Sequence, residues 1–420
     1  MESQDRRQLM FGFGKQSRSS WITRNRPSAP IAADFGRSSV RLLQLAAGAT
    51  EYRCTAAAEI PGSPFEGNGH KLDPQVLASR IHDAVRGLGF GGQRVAATLP
   101  AELFQTDIAR LPAMSDKELA DSVRYEAIDR FGIDGDRSVI GHLRLGATAG
   151  GSNDVLMMVL PREVVDTASA ALSSNNTLAF RIEHAALSAL RAVTRQRASE
   201  CADPAESRDY AMIHLENRVA TLILLRDGAV SFLRAIRGDW APVGMTMHRR
   251  TSTGRIVSGD AAISIDNESA DDAGTAWRWC SLAEESLRCL RHFERSAGGW
   301  WPREIAITGP AATDPQAAAT VESVCGVRAS LAVPIRMIDE PEACMHGNEW
   351  VAAIGSACAE LPSLARNVRS IPEPAAQART AIQQRTAAGM RTAARAANTG
   401  TIQLDPEPKP VPAPTNGAAA

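Results

Sequence analysis

No apolar run in this 420-residue chain approaches the ~18–20 residues that a helix needs to cross a bilayer. The longest, such as Val155-Leu156-Met157-Met158-Val159-Leu160, have the length of a strand. The N-terminus has basic residues but no continuous apolar core and no small-residue cleavage site, which argues against secretion and for a cytosolic chain. Seven cysteines (Cys54, Cys201, Cys280, Cys289, Cys325, Cys344, Cys358) are scattered, odd in number and without a C-x-x-C pair. Neither a disulfide framework nor a zinc site is expected; they read as small buried hydrophobes in a reducing compartment. The patterns G-x-x-x-x-G-K-[ST], H-E-x-x-H, G-x-S-x-G and S-x-x-K are all absent, and the eight histidines lack metal-ligand spacing. Gly87 to Gly92 matches G-x-G-x-x-G, but it follows a helical pattern and precedes a strand, the reverse of a dinucleotide loop, so it reads as a helix C-cap. Lysine is scarce too, at Lys15, Lys71, Lys117 and Lys409 only, a bias read as genome composition.

What is present is ordinary globular material, 44% hydrophobic and 22% charged, long enough for two to four domains. The net charge of −1 conceals a polarity. Residues 1–29 carry six basic and two acidic groups and 362–420 carry seven and three, so each end is +4 and the segment between them −9. So acidic a centre makes nucleic acid a poor partner, whereas basic ends suit peripheral contact with an anionic membrane surface.

Residues 1–29 are polar and basic and read as a disordered lead. Ile31–Asp34, Ser39–Leu45 and Tyr52–Ile60 form a candidate three-stranded meander, followed by a helix capped by Asp73-Pro74 with an apolar face of Val76, Leu77, Ile81, Ala84, Val85 and Leu88. With the strand Arg94–Leu99 these make a first unit, 30–101. A small α+β subdomain over 102–176 follows, with strands at 104–111, 139–145 and 154–160, a helix opened by a Ser115/Glu118 capping box, and another through Val164–Leu172. Residues 177–200 bring a short strand and a return helix from His184. Polar residues 198–208 read as a linker, and the meander then repeats over Tyr210–His214, Val219–Leu225 and Ala229–Ile236 with a hairpin turn at Asp227-Gly228. Residues 201–361 form a second unit. It holds an amphipathic helix Leu282–Phe293, a strand Glu304–Thr308 and a last helix Trp350–Ala359, but 238–276 is poor core material. The Ala/Arg/Pro-rich tail 362–420 reads as disordered.

One constellation carries chemistry. Asp34-Phe35-Gly36-Arg37-Ser38-Ser39-Val40-Arg41 lies between two strands. A tight turn of this kind aims backbone N–H groups and hydroxyls at one point, which suits a phosphate. Asp34 at a strand end can hold hydrated Mg²⁺, and Arg41 would add a cation. A Gly-Ser turn beside an aspartate is also commonly just a turn, and both readings stay open here.

Two copies of meander plus helix, the second ending in Ile305-Ala306-Ile307-Thr308-Gly309, resemble the duplicated, ribonuclease H-like halves of the actin-like ATPase fold. The likeness sharpens to the PilM family of type IV pilus assembly proteins over roughly 30–360. The first turn (Asp34-x-Gly36-x-Ser38-Ser39-Val40) is similar to the family's, as are "RLPAMSDKELADSVRYEAIDRF" (110–131), "DVLMMVLPREVVDTASAAL" (154–172) and "SLAEESLRCLRHFE" (281–294). The resemblance implies an α/β fold of two halves with an inserted α+β subdomain. It implies ATP and Mg²⁺ between the halves, held by Asp34, Gly36, Ser38, Ser39 and Arg41 on one side and by Gly309 near the adenosine. It also departs from the family. Where a second Asp-x-Gly phosphate turn is expected, this chain has His214 and Glu216, Pro310 replaces the second glycine of the adenosine loop, and the helical subdomain is reduced to about 238–280. A carboxylate on a side chain there repels phosphate and blocks close backbone approach.

The resemblance therefore implies a scaffold peripheral to the cytoplasmic face of the inner membrane. It would grip the N-terminal tail of a membrane-anchored, PilN-like partner, with weak or no ATP hydrolysis and with self-association open. The competing readings are an active ATPase or kinase of the same fold, an FtsA-like membrane tether, and a type II secretion platform component. A tether wants bulky apolar anchors in the C-terminal segment, where Ile382 and Met390 stand isolated. A secretion platform wants a transmembrane helix after the actin-like body.

Overall fold

Two sheets of the same connectivity, with a third, smaller sheet grafted into the first, organise the chain. The computed structural model describes residues 29–48, 50–65, 72–145, 152–173, 177–201, 208–240, 268–339, 345 and 347–364, all within one unit that ends at Val368. The basic lead, the tail beyond 364 and the 241–267 stretch lie outside the described residues.

The first half opens with β1 (Ile31–Phe35), β2 (Ser39–Ala47) and β3 (Tyr52–Pro61), each antiparallel to the next. Helix α1 (Pro74–Gly87) follows, its N-cap Asp73 accepting from the Gln75 N–H, and β4 (Arg94–Leu99) then pairs parallel with β1. The expected apolar face of α1 is narrower than its sequence: Leu77, Ile81 and Val85 are buried, while Val76 and Leu88 are exposed. After a 3-10 turn (Ala101–Leu103) the chain makes the small sheet of β5 (Gln105–Pro112), β6 (Ser138–Arg144) and β7 (Ser152–Pro161), in the order β5-β7-β6. Helix α2 (Asp116–Phe131), opened by the full Ser115/Glu118 capping box, covers one face of it; α3 (Arg162–Leu172) follows β7. Val155, Met157 and Val159 pack with Leu119 and Val123 of α2, whereas Leu156, Met158 and Leu160 join the main core, which the first half shares with side chains of the second, Tyr210, Met212 and Ile223 among them. That two-sided burial explains why β7 reads as an unbroken apolar run. β8 (Leu178–His184) then pairs parallel with β4, and α4 (Ala185–Glu200) leads away, running three residues into the stretch 198–208 that reads as a linker.

The second half repeats the plan. β9 (Tyr210–Leu215), β10 (Val219–Arg226) and β11 (Ala229–Arg237) form the meander, and α5 (Glu268–Ser296) leads to β12 (Glu304–Thr308), parallel to β9. Helix α6 (Pro315–Cys325) and β13 (Arg328–Leu331) complete a sheet ordered β11-β10-β9-β12-β13, the counterpart of β3-β2-β1-β4-β8 in the first half. The duplication holds residue by residue. The bulge after Gln44 in β2 recurs after Leu224 in β10, and the Asp34↔Thr98 register of β1 with β4 recurs as His214↔Thr308.

Several expectations change. Helix α5 begins at Glu268, inside the stretch read as a reduced subdomain, and Trp240, in a stretch read as poor core, is buried with Trp279 and Leu282 in the core of the second half. Trp240 and Trp279 thus add to an otherwise largely aliphatic core without forming a periodic pattern. Of the cysteines, Cys325 and Cys358 are buried, but Cys280 is exposed. The expected unit 201–361 does not stay together. β14 (Ile338–Asp339) pairs with β3, and α7 (Val351–Ala357) sits in the first core, where Trp350, Val351 and Ile354 are fully buried. This return is pinned by a bidentate Arg94–Glu360 pair at 2.9 Å and by the Tyr52 hydroxyl donating to the Pro362 carbonyl. Among the described residues no helix is long and apolar enough to cross a membrane.

α4 and α7 cross at Gly355, where an added Cβ would lie 1.8 Å from the Ser188 carbonyl oxygen. Gly355→Ala is expected to lower stability by about 1–3 kcal/mol through overpacking. Gly87→Ala at the end of α1, where nothing lies within 4 Å of the new Cβ, should leave it unchanged or slightly raised. Urea unfolding of the two variants checks this.

Candidate functional site

The strand ends that carry the sequence-predicted residues meet between the two halves. In the first half, β1 ends at Asp34 and Phe35 and the chain turns through Gly36, whose N–H donates to the Ser39 carbonyl at 2.9 Å. Asp34 is buried. Thr98, its register partner on β4, donates its hydroxyl to Asp34 Oδ1 at 2.6 Å, and Arg41 Nη1 lies 3.9 Å from Oδ2. Burial raises the Asp34 carboxyl above its usual range, opposed by Arg41 and by the Thr98 hydrogen bond. Arg41 is committed to carboxylates on several sides, with Glu59 at 3.1 Å and Glu349 at 3.6 Å besides Asp34. Ser39 donates to Glu59 at 2.7 Å, and the Ser38 carbonyl accepts from Gly62. The turn is closed tightly: a Cβ on Gly36 would lie 3.0 Å from the Ser39 carbonyl oxygen and 3.3 Å from Arg41. Arg37, at its tip, pairs with Glu102 at 3.0 Å.

The second half has the same backbone and different chemistry. The N–H of Glu216 donates to the Val219 carbonyl at 3.0 Å, reproducing the Gly36 bond, so Glu216 occupies the position of Gly36 and His214 that of Asp34. His214 lies in one row with Thr221 on β10 and Thr308 on β12, as Asp34 does with Arg41 and Thr98. All three side chains are buried, yet His214 Nδ1 and both threonine hydroxyls have no hydrogen-bond partner among the described residues. Burial, with the nearby His184, drives the His214 pKa down to about 3, so this row is neutral at physiological pH. His184 ends β8 and caps α4 by accepting the Ala186 N–H at its Nδ1, 3.2 Å away, and its ring lies 4.6 Å from that of Phe104. Sequence reasoning missed this cap because histidine is not among the residues preferred there.

Gly309 follows Thr308 with φ +109, and a Cβ there would lie 2.4 Å from the Leu215 carbonyl oxygen and 3.0 Å from His214 Nδ1. The Ala311 N–H donates to that same carbonyl. Packing against the second turn is thus enough to require a glycine. Glu216 reaches across to the first half, its Oε2 accepting the Ala101 N–H at 3.0 Å. Burial, with the charges of Asp34 and Glu102, pushes its pKa up to about 8, against the hydrogen bond from Ala101 and the opposing pull of Arg37. Among the described residues no group of three or more His, Cys, Asp or Glu is placed to hold a metal ion.

The pH dependence follows with a definite sign. Glu216 keeps its proton to about 8 when folded and loses it near 4.5 when unfolded, so its contribution to stability declines as pH rises across that window. Glu216→Gln retains an acceptor for Ala101 and removes this decline. Thermal unfolding should show its melting temperature gaining on that of the parent between pH 5 and pH 9.

No protein-family profile matches the chain, and no curated protein matches it by sequence. Among solved structures, a chain of the PilM–PilN type IV pilus biogenesis complex is 17% identical and aligns over 78% of this chain and 97% of its own length, with a TM-score of 0.59. A Bacteroides thetaiotaomicron protein with an actin-like ATPase fold is 7% identical over 79% of this chain and 96% of its own, with a TM-score of 0.41. The cytoplasmic domain of EpsL, an inner-membrane component of the Vibrio cholerae type II secretion system, is 9% identical over 78% and 93%, with a TM-score of 0.36. The last two are too distant to carry weight. The first, with the duplicated sheets, establishes the fold: this chain is built as two actin-like halves with an α+β subdomain inserted in the first.

Proposed function

We propose that this chain is a cytoplasmic, actin-like scaffold of a type IV pilus or related secretion platform. In this reading it binds the N-terminal cytoplasmic tail of a membrane-anchored, PilN-like partner and hydrolyses ATP weakly or not at all. The observation that carries the reading is the asymmetry of two turns on one duplicated backbone. The Asp34–Arg41 turn keeps a carboxylate, a close-packed glycine and serines, whereas its counterpart has a neutral buried His214 and an acidic Glu216. Phosphoryl transfer needs positive charge and donors on both sides of the phosphate chain, together with an oriented nucleophile. In the first turn Asp34 would be the residue to hold a hydrated Mg²⁺, although Arg41, Arg37 and the Ser39 hydroxyl are already paired with carboxylates; the second turn does not fit a phosphate, and no hydrolytic step is derived through it. The alignment over nearly the whole length of the PilM–PilN chain supports a scaffold role, and the resemblance implies a groove for an extended tail between the first half and the inserted subdomain.

Calorimetry of the full-length chain with Mg-ATP is expected to show affinity weaker than about 0.1 mM, under about 5.5 kcal/mol of binding free energy. A peptide of the partner's cytoplasmic tail is expected to bind with 1:1 stoichiometry, whether or not ATP is added. Mg-dependent phosphate release that vanishes in Asp34→Ala would favour the ATPase reading instead. Failure of the tail to bind would remove the scaffold reading.

A further inference from the structure

We infer that Glu216 is an internal strut between the two halves, bracing the second turn against the end of β4 beside the core they share. The carboxylate projects from the turn between β9 and β10 of the second half. It accepts the N–H of Ala101, 3.0 Å away, in the 3-10 turn that follows β4 of the first half. These groups are 115 residues apart in sequence, so the bond ties half to half rather than closing a local turn.

Its position, surroundings and footing all mark it as part of the architecture. The duplicated register sets Glu216 opposite Gly36, so the same hairpin ends in no side chain in one copy and in a side chain long enough to cross in the other. The charged groups around it are Asp34 on β1, Glu102 beside Ala101, and Arg37 in the first turn, whose guanidinium is paired with Glu102. The two carboxylates disfavour its ionised form, and the only hydrogen bond to its carboxyl group among the described residues is the backbone one. The turn beneath is rigid, since Gly309 packs directly on Leu215 and the Ala311 N–H holds the Leu215 carbonyl at 3.1 Å. In an actin-like cleft a ligand's charge would bridge the two turns. Here a carboxyl group of the chain itself makes a bridge.

Three variants of the full-length chain test this: Glu216→Gly, which copies the first turn; Glu216→Gln, which keeps length and acceptor; and Ala101→Pro, which removes the donor at a position where proline is tolerated. The readouts are hydrogen–deuterium exchange across 99–104 and the radius of gyration from X-ray scattering. Glu216→Gly is expected to speed exchange there at least tenfold and to enlarge the particle. Ala101→Pro should enlarge it equally, and Glu216→Gln should match the parent. Exchange and dimensions in Glu216→Gly equal to the parent's would overturn the inference. So would faster exchange spread evenly through β9 and β12, which would make Glu216 a folding element of its own half, or an Ala101→Pro chain of parental size.

Discussion

The crossing of α4 and α7 over Gly355 is the close contact that ties the helix leaving the first sheet to the helix returning to it. α4 carries the chain out of the first sheet to β9, and α7 brings it back to lie against β1 and β2. With no side chain at 355, the helix backbones meet. Ser188 donates to the Ala352 carbonyl at 3.0 Å, and Arg191 donates to the Gly355 carbonyl at 2.8 Å while holding Glu183 at 2.7 Å. Close backbone approach of this kind leaves little room for relative sliding, because packed interiors yield in steps rather than continuously.

On that frame, one backbone plan supports two electrostatic outcomes. The row Arg41–Asp34–Thr98 in the first half is charged and internally bonded, whereas Thr221–His214–Thr308 in the second is neutral and leaves His214 Nδ1 and both hydroxyls without a partner among the described residues. Burying an ionised group requires a partner, and the first half supplies Arg41 and Thr98 to Asp34. Thr221 stands where the second half would need its Arg41, so a carboxylate at 214 would lack a cation. Histidine meets that situation by giving up its proton. Each unmade bond in the row costs about 1–3 kcal/mol, a price compatible with a fold whose two cores are otherwise dense with aliphatic side chains.

Much of this was legible in the residues themselves. Alternation and punctuation gave both meanders, Asp73 and Ser115/Glu118 gave two helix starts, and the Asp34–Arg41 pattern gave the first turn. The substitutions His214 and Glu216 were visible as departures. Less was legible where burial does not follow a period. Trp240 entered the core from a polar stretch, Val76 and Leu88 stayed outside it, and α6 and β13 are Ala-rich or short enough to leave little pattern. The return of β14 and α7 to the first sheet is a long-range pairing that no local signal announces.

By itself the sequence determined the duplication, the inserted subdomain and the types of residue at each turn, because strand alternation, capping and turn chemistry act over a few neighbours. Only the tertiary structure decided what those residues do. It committed Arg41 to carboxylates, and it assigned Gly309 to packing against Leu215. It also sent Glu216 across to Ala101. Those outcomes depend on which groups the fold brings within 3–4 Å after removing water from around them, and desolvation and charge act through space with no regard for distance along the chain.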